Sequence, residues 1–336
     1  ARATAQALRW NGERVPSSWR EQTPRLPGVR VTLTGLLQAA AVVTVAFSVG
    51  TLLPIDHFAI QLFTHFRLQY LVVSLGLLLL FKYLRSPWLT GAIAAGVLLN
   101  AILVLPWYVG KDETSGGVEL KLLHANVLSS NTEYDRLISL LDTEAPDLVM
   151  LQEVSPDWLV ALDELRANYP YSYAEAREGN FGIALFSRVP LKSVSHFDSP
   201  PFGYPTIVAS LAIDGQVLHF IGTHPMIPVR GTFYDARNEQ LAGVARLLGK
   251  QAEPKILVGD LNLSQWDVNY KHLEQQGGVR NARKGFGILP TWPVFMPFAM
   301  IPIDHVLVSE TISVTGFYSG PRIGSDHLPL IVTFTL

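Results

Sequence analysis

The chain has 336 residues, 49 % of them hydrophobic, and a formal net charge of −2. That length accommodates one large domain or two ordinary ones. It contains no cysteine, which excludes disulfides, thiolate metal sites and cysteine nucleophiles. The charge is unevenly spread. Residues 1–110 hold nine of the 26 Lys and Arg but only three of the 28 Asp and Glu, so residues 111–336 carry 17 basic and 25 acidic residues, a formal −8. Such a balance lacks the basic footprint of a protein that gains affinity from nucleic-acid phosphates.

The first element in chain order is an uncharged run, VTLTGLLQAAAVVTVAFSVGTLLP, at 31–54. At about 1.5 Å per residue it is long enough to cross a hydrocarbon core of about 30 Å. A shorter apolar run follows at 69–81, extended to residue 84 around Lys82, and a third at 87–109 carries Trp88 near one end and Trp107 and Tyr108 near the other. Aromatic residues favour such interfacial positions. Three such runs so close together exceed what the buried helices of a soluble core need, and they predict an α-helical transmembrane anchor of about three spans over 31–109. Arg2, Arg9, Arg14, Arg20, Arg25 and Arg30 precede it, Lys82 and Arg85 follow the second run, and only Arg67 lies between the first two. The positive-inside rule then makes residues 1–30 a cytoplasmic segment and places everything after the third span outside. That expectation turns on whether the short middle run crosses. The N-terminal segment is too long and too scattered in arginine to read as a signal peptide. Residues 110–117, GKDETSGG, read as a polar, Gly-rich linker.

From residue 118 the pattern changes to alternating strands and helices. Strands are predicted over 118–126, 147–154, 181–187, 206–213, 216–223, 255–260, 303–308 and 328–335. Helices are predicted over 132–143, 157–168 and 235–250. Many strands with few helices predict a layered α/β domain with two packed sheets over 118–336.

Polar residues recur at the ends of these apolar strands: Asn126, Glu153, His224, Asp260 with Asn262, Asp304, and Asp326 with His327. A strand end fixes a side chain at the rim of a sheet, which is the rigidity a reactive group needs. Oxygen donors in such a set suit a hard divalent cation, and magnesium needs only one or two carboxylates beside a substrate phosphate. Glu153 is the leading ligand, with Asn126, Asp260 and Asp326 near it. His327 can stabilise phosphoryl oxygens or move a proton, with Asp304 holding its ring in one tautomer. Taken singly, each residue has a plainer reading. An Asp at a strand end is usually a turn residue, and His224 alone is an ordinary hydrogen-bonded histidine. His124 and His305, among apolar neighbours, keep that plainer reading.

The order of these pieces resembles the endonuclease/exonuclease/phosphatase superfamily, as a membrane-anchored, bacterial-type member. The matching segments are LKLLHANV, PDLVMLQEV, NFGIALFSR (180–188), IGTHP, RNEQL, LVGDLN, TW (291–292), IDHVLVS and GSDHLPL. The resemblance implies a DNase I-like four-layer sandwich, two mixed β-sheets between helices, that hydrolyses phosphoesters with Mg2+, or Mn2+ in its place. It implies that Glu153 binds metal with Asn126 and Asp326, that Asp260 orients or activates the attacking water, and that Asn262 holds the phosphate. His327 paired with Asp304 stabilises the transition state, and His224 contacts the phosphate or leaving group. Asn180 and Trp292 are added on the substrate side. The sequence departs from many family nucleases just before Asp304, where Ile303 replaces a basic residue, and just after it, where His305 replaces Tyr.

Residues 293–303, PVFMPFAMIPI, carry no charge and lie between two site segments. They form either a loop packed under the sheet or an interfacial loop that meets lipid. Arg230, Tyr234 and Arg237 are candidates for an anionic headgroup. The acidic domain and the tether place a lipid or small-molecule phosphoester ahead of nucleic acid, with the bilayer as partner and the catalytic domain outside a bacterial cytoplasmic membrane. A nuclease and a non-catalytic membrane binding module are the alternatives.

Overall fold

The computed structural model describes residues 31–111 and 116–336. The expected cytoplasmic segment 1–30 and the centre of the expected linker lie outside the described residues. Residues 41–336 form one compact unit.

Among the described residues four helices come first: α1 (Leu33–Gly50), α2 (Phe58–Thr64), α3 (Arg67–Tyr83) and α4 (Pro87–Val104). Pro87 opens α4 at a position where its missing N–H costs nothing. Among the described residues, two helices are long and apolar enough to cross a membrane, Leu33–Gly50 and Pro87–Tyr108, the latter including a 3-10 turn that extends α4. The middle run is more complex than expected. The α2 and α3 helices form a pair bent by 64° that together could make a third crossing. Arg67, read above as a loop charge, is buried at the start of α3, where its Nη1 donates to Ser48 O at 2.7 Å.

The remaining chain builds two six-stranded mixed sheets. In order along the chain the elements are β1 (Glu119–Asn126), α5 (Tyr134–Glu144), β2 (Leu148–Gln152), α6 (Pro156–Ala161), β3 (Tyr171–Glu175), β4 (Ile183–Ser187), β5 (Leu191–Ser199) and β6 (Tyr204–Ile213). There follow β7 (Gln216–Thr223), α7 (Gly231–Leu248), β8 (Lys255–Asp260), α8 (Val268–Gly277), β9 (Arg280–Asn281), β10 (Asp304–Val308), β11 (Ser313–Ser319) and β12 (Leu330–Thr335). One sheet runs β11-β12-β1-β2-β4-β3 and the other β5-β6-β7-β8-β10-β9. Each contains one parallel pair, β1 with β2 and β7 with β8, joined by the crossover helices α5 and α7. Inward residues such as Leu122, Met150, Leu185, Phe220 and Val258 fill the space between the sheets. The helices α5 and α6 cover one outer face, through Leu137, Leu141 and Trp158, and α7 and α8 cover the other, through Leu241, Val244 and Leu273. The result is the expected four-layer DNase I-like sandwich.

Local chemistry fixes the helix ends. Asp267 caps α8 by accepting from Asn269 N, and Gly278 ends that helix in the left-handed region. The apolar helices rest on the sandwich. Leu71 of α3 and Val104 of α4 pack with Trp266 and Ile288, and Trp107 O accepts from Gly285 N and Gly287 N.

Candidate active site

The carboxyl ends of the two parallel strand pairs meet at one edge of the sandwich. Gln152, at the end of β2, joins them. Its Nε2 donates to Thr223 O at 2.6 Å, and its Oε1 accepts from Asp260 N at 2.7 Å. The close approach requires glycine before Asp260, because a Cβ on Gly259 would lie 2.0 Å from Thr223 O and 2.6 Å from Gln152 Nε2.

Asn126 sits between two buried carboxylates. Its Nδ2 donates to Glu153 Oε1 at 3.0 Å and to Asp260 Oδ2 at 3.3 Å, while its Oδ1 accepts from Leu128 N. Glu153 Oε2 accepts from Ser129 N at 3.2 Å. Glu153 has φ +61° and Asn262 φ +54°. Asn tolerates the left-handed region, but Glu does so at a cost of about 1–3 kcal/mol, a strain concentrated at functional positions. Asn262 N donates to Asp260 Oδ1 at 2.9 Å, which ties the two polar residues of GDLN into one turn.

Asp304 pairs with Asp260 in register across β10 and β8. Its carboxylate lies between two histidines, Oδ2 at 2.8 Å from His327 Nδ1 and Oδ1 at 3.0 Å from His124 Nε2. His124, read as an ordinary buried histidine, therefore backs the centre directly. Burial resists the charge on Asp304, but His327 and His124 outweigh it and hold the carboxyl well below its usual range. Burial would likewise lower His327, yet Asp304, Asp260 and Asp326 push it up to about 10. The pair is thus an imidazolium on a carboxylate, with His327 Nε2 3.7 Å from Asp260 Oδ2. His224 follows β7 with Nε2 3.5 Å from the same oxygen, an ion-pair distance, and its Nδ1 has no hydrogen-bond partner among the described residues. Burial opposes its charge, but Asp260 and Glu153 raise it above the ordinary value. His305 keeps its plain reading: its Nε2 donates to Leu263 O at 2.8 Å, and burial, aided by Arg283, holds it well below the ordinary value.

A cavity of about 220 Å³ opens on this cluster. Glu153, Asp260, Asn262, Asp326 and His327 face it, as do Asn180 and Trp292. Trp292 Nε1 donates to Asp326 Oδ2 at 2.9 Å, and Asn180 Oδ1 accepts from Ser129 Oγ at 2.7 Å.

A family model described as the endonuclease/exonuclease/phosphatase family matches residues 123–327. The chain belongs to that family. Solved structures with the same fold include humanized D. rerio TDP2, 20 % identical over 65 % of this chain and 99 % of that one, with a TM-score of 0.56. They also include an endonuclease/exonuclease/phosphatase from Bacteroides vulgatus, at 16 % identity over 65 % and 99 % with a TM-score of 0.55. A third, from Beutenbergia cavernae, is 18 % identical over 65 % of this chain and 72 % of that one, with a TM-score of 0.54. Among curated proteins no sequence match is found.

The residues fit the divalent cation typical of this family. Glu153 is a buried carboxylate whose hydrogen-bond donors, Asn126 Nδ2 and Ser129 N, are neutral, which leaves charge for a cation to neutralise, and Asp260 Oδ2 shares the same Asn126 amide. Asp260, Asp304 and His327 also offer atoms within 4.8 Å of one another, although the Asp304–His327 hydrogen bond already occupies two of these groups. As a ligand Asn126 would have to offer Oδ1, which here accepts a backbone N–H.

Asn126, His224 and Asp304 belong to the cluster without lining the cavity, and three candidates stand apart from both. Arg237 is fully buried, with Nη2 3.1 Å from Asp267 Oδ2 and Nη1 donating to Asn262 O at 2.9 Å. Tyr234 donates its hydroxyl to Asp56. Arg230 stacks on Phe233, with 3.8 Å from its guanidinium carbon to the ring centre. Their proximity in sequence to RNEQL reflects a packed helix that supports Asn262 from behind. Sequence reasoning missed Gln152 as the bridge, although it adjoins Glu153 in LQEV. It also missed Leu62 and His65, which line the cavity from the apolar helices.

Proposed function

We propose that this chain is a membrane-anchored phosphoesterase that uses Mg2+ to hydrolyse a lipid or lipid-linked phosphoester at the bilayer surface. The observation that carries the reading is the make-up of the cavity. Its floor is the Glu153, Asp260 and His327 cluster, and its walls include Ile227, Val229, Ile301 and Ile303. An ester with a charged head and an apolar body fits such a lining better than a nucleic-acid strand does, and the domain's formal −8 charge supports that choice.

Membrane attachment is supported by the apolar surface of the helices. Val72, Leu79, Trp88, Leu98 and Ile102 are exposed, and large apolar side chains exposed in such number mark a surface that meets lipid or a partner. The loop at 293–303 divides its residues. Val294, Ile301 and Ile303 are buried, whereas Phe295 and Phe298 are 67 % and 78 % exposed. Gln69 Nε2 of α3 donates to Met300 O at 2.6 Å, so this loop sits beside the helices. The orientation outside the membrane also has support. The start of α3 and the end of α4 contact the sandwich, which sets Lys82 and Arg85 at the far end of both helices, on the side that the positive-inside rule makes cytoplasmic.

In the proposed reaction, Glu153 and Asp260 would hold the cation, whose charge would neutralise the phosphoryl oxygens. Asp260 orients the attacking water, Asn262 offers its amide to the phosphate, and the imidazolium of His327, fixed by Asp304, stabilises the developing charge. His224, buried yet drawn toward its charged form by Asp260, is the group assigned to the leaving oxygen. The test uses the full chain in lipid nanodiscs with Mg2+ and a panel of glycerophospholipids, sphingolipids, inositol phosphates and plasmid DNA. Turnover of a lipid ester that Glu153→Gln abolishes is the expected result. DNA cleavage without lipid turnover favours a nuclease instead, and no turnover of any ester, with Glu153→Gln binding metal as the parent does, favours a binding module.

A further inference from the structure

The elbow between α2 and α3 brings a polar side chain from the apolar helices into the catalytic cavity. His65 Nδ1 lies 2.9 Å from Ser264 Oγ and accepts from Ser264 N at 3.3 Å. A backbone N–H only donates, so Nδ1 carries no hydrogen and the neutral ring places its hydrogen on Nε2. Nε2 has no hydrogen-bond partner among the described residues, and His65 lines the cavity together with Leu62. Ser264 lies two residues beyond Asn262, which also lines the cavity.

The elbow is held on every side. Gln61 Oε1 accepts from Val268 N at 3.4 Å, Gln69 grips Met300 O, and Arg67 is anchored on Ser48 O. A ring fixed in this way keeps its donor in one place, which is what recognition of an oxygen requires. We infer that His65 is a substrate-binding residue, whose Nε2–H donates to a phosphoryl oxygen of the ester beside Asn262. The helices are then part of the active site as well as its anchor, and the sandwich alone carries an incomplete cavity. The inference rests on the phosphoesterase reading for the ester, but phosphate recognition can be measured without hydrolysis.

Three substitutions in the full chain separate this role from a structural one. His65→Asn places an amide oxygen where Nδ1 accepts from Ser264 but withdraws the donor from the cavity. His65→Gln reaches the Nε2 position with an amide N–H, and His65→Ala removes both. The measurements are the affinity for inorganic phosphate by calorimetry in nanodiscs with Mg2+, KM and kcat for bis(p-nitrophenyl) phosphate, and the melting temperature. His65→Asn and His65→Ala should weaken phosphate binding and raise KM by about ten- to a hundredfold, the range for a hydrogen bond to a charged group, with His65→Gln recovering part. His65→Asn should melt with the parent. Parent-like phosphate affinity in His65→Asn overturns the inference, as does a parent that binds no phosphate. Lost phosphate binding in His65→Asn, with a parent that hydrolyses no ester, overturns the phosphoesterase reading and leaves this one standing.

Discussion

Replacing Arg237 by Met removes one partner of an ion pair that is fully buried on both sides. Arg237 Nη2 lies 3.1 Å from Asp267 Oδ2, and its Nη1 supports Asn262 O from beneath the cavity. The substitution keeps most of the side-chain volume, so the loss is dominated by an uncompensated Asp267 carboxylate, which costs about 3–5 kcal/mol. In a domain of this size about 1 kcal/mol moves the melting temperature by about 2–4 °C, so the expected fall is about 6–20 °C. Asp267→Ala should cost a similar amount and also lose the cap that accepts from Asn269 N. The double variant Arg237→Met with Asp267→Leu should recover much of the loss, because a matched apolar pair leaves no buried charge. Thermal unfolding of the full chain in nanodiscs reads all three. If Arg237→Met melts within 2 °C of the parent (about 1 kcal/mol at most) but loses affinity for its ester, the ion pair is not structural and Arg237 is a headgroup ligand after all.

Four further outcomes follow from the same geometry. Gly259→Ala should prevent the two sheets from closing on Gln152, giving protein that fails to reach the folded melting transition, since its Cβ would lie 2.0 Å from Thr223 O. Asp304→Asn removes the charge between His124 and His327 while keeping the shape, and should lower kcat by about 10²–10⁴ with phosphate affinity largely retained. Phe295→Ser with Phe298→Ser should raise KM for a lipid ester in vesicles at least about tenfold while leaving bis(p-nitrophenyl) phosphate turnover unchanged, given the apolar area each ring presents. Burial holds the Glu274 carboxyl up at about 7, with Asn281 N and two lysines only partly offsetting it. The folded chain therefore binds this proton more tightly than the unfolded one. The contribution is complete below about pH 4.5 and is lost as pH rises through 7, so Glu274→Gln should stabilise the protein by about 2–3 kcal/mol at pH 8 and flatten that part of its melting profile.

The strands legible in the sequence are those with at least one largely buried face. LVMLQ of β2 and KILVGD of β8 are buried throughout, so their apolar runs announce them, and the polar residues at their ends mark the site. The strands it missed are polar or half exposed. LKSVSHFDS of β5 and YSYAE of β3 lie at sheet edges, where pairing with one neighbour, not burial, makes them strands. The helix α8 was missed for the same reason: VNYKHLEQQG buries only Tyr270, Leu273 and Gly277, and its Asp267 cap is visible only once the pair with Arg237 is known.

Within the site, legibility follows the range of the contact that gives a residue its role. Glu153, Asp260 and His327 stand at the ends of strands whose character is local, so position alone exposes them. Arg237 was misplaced because an arginine on an amphipathic helix reads as solvated until a carboxylate thirty residues later turns it inward. His65 lies further along the same scale. Its partner Ser264 is 199 residues away, and its own surroundings, the runs FAIQLFT and RLQYLVV, read only as anchor. A histidine in a membrane segment is costly unless something uses its polar atoms. Ser264 uses Nδ1. The hydrogen on Nε2 is left with the cavity, and the class of molecule that can accept it there is the one the carboxylates and His327 are arranged to bind.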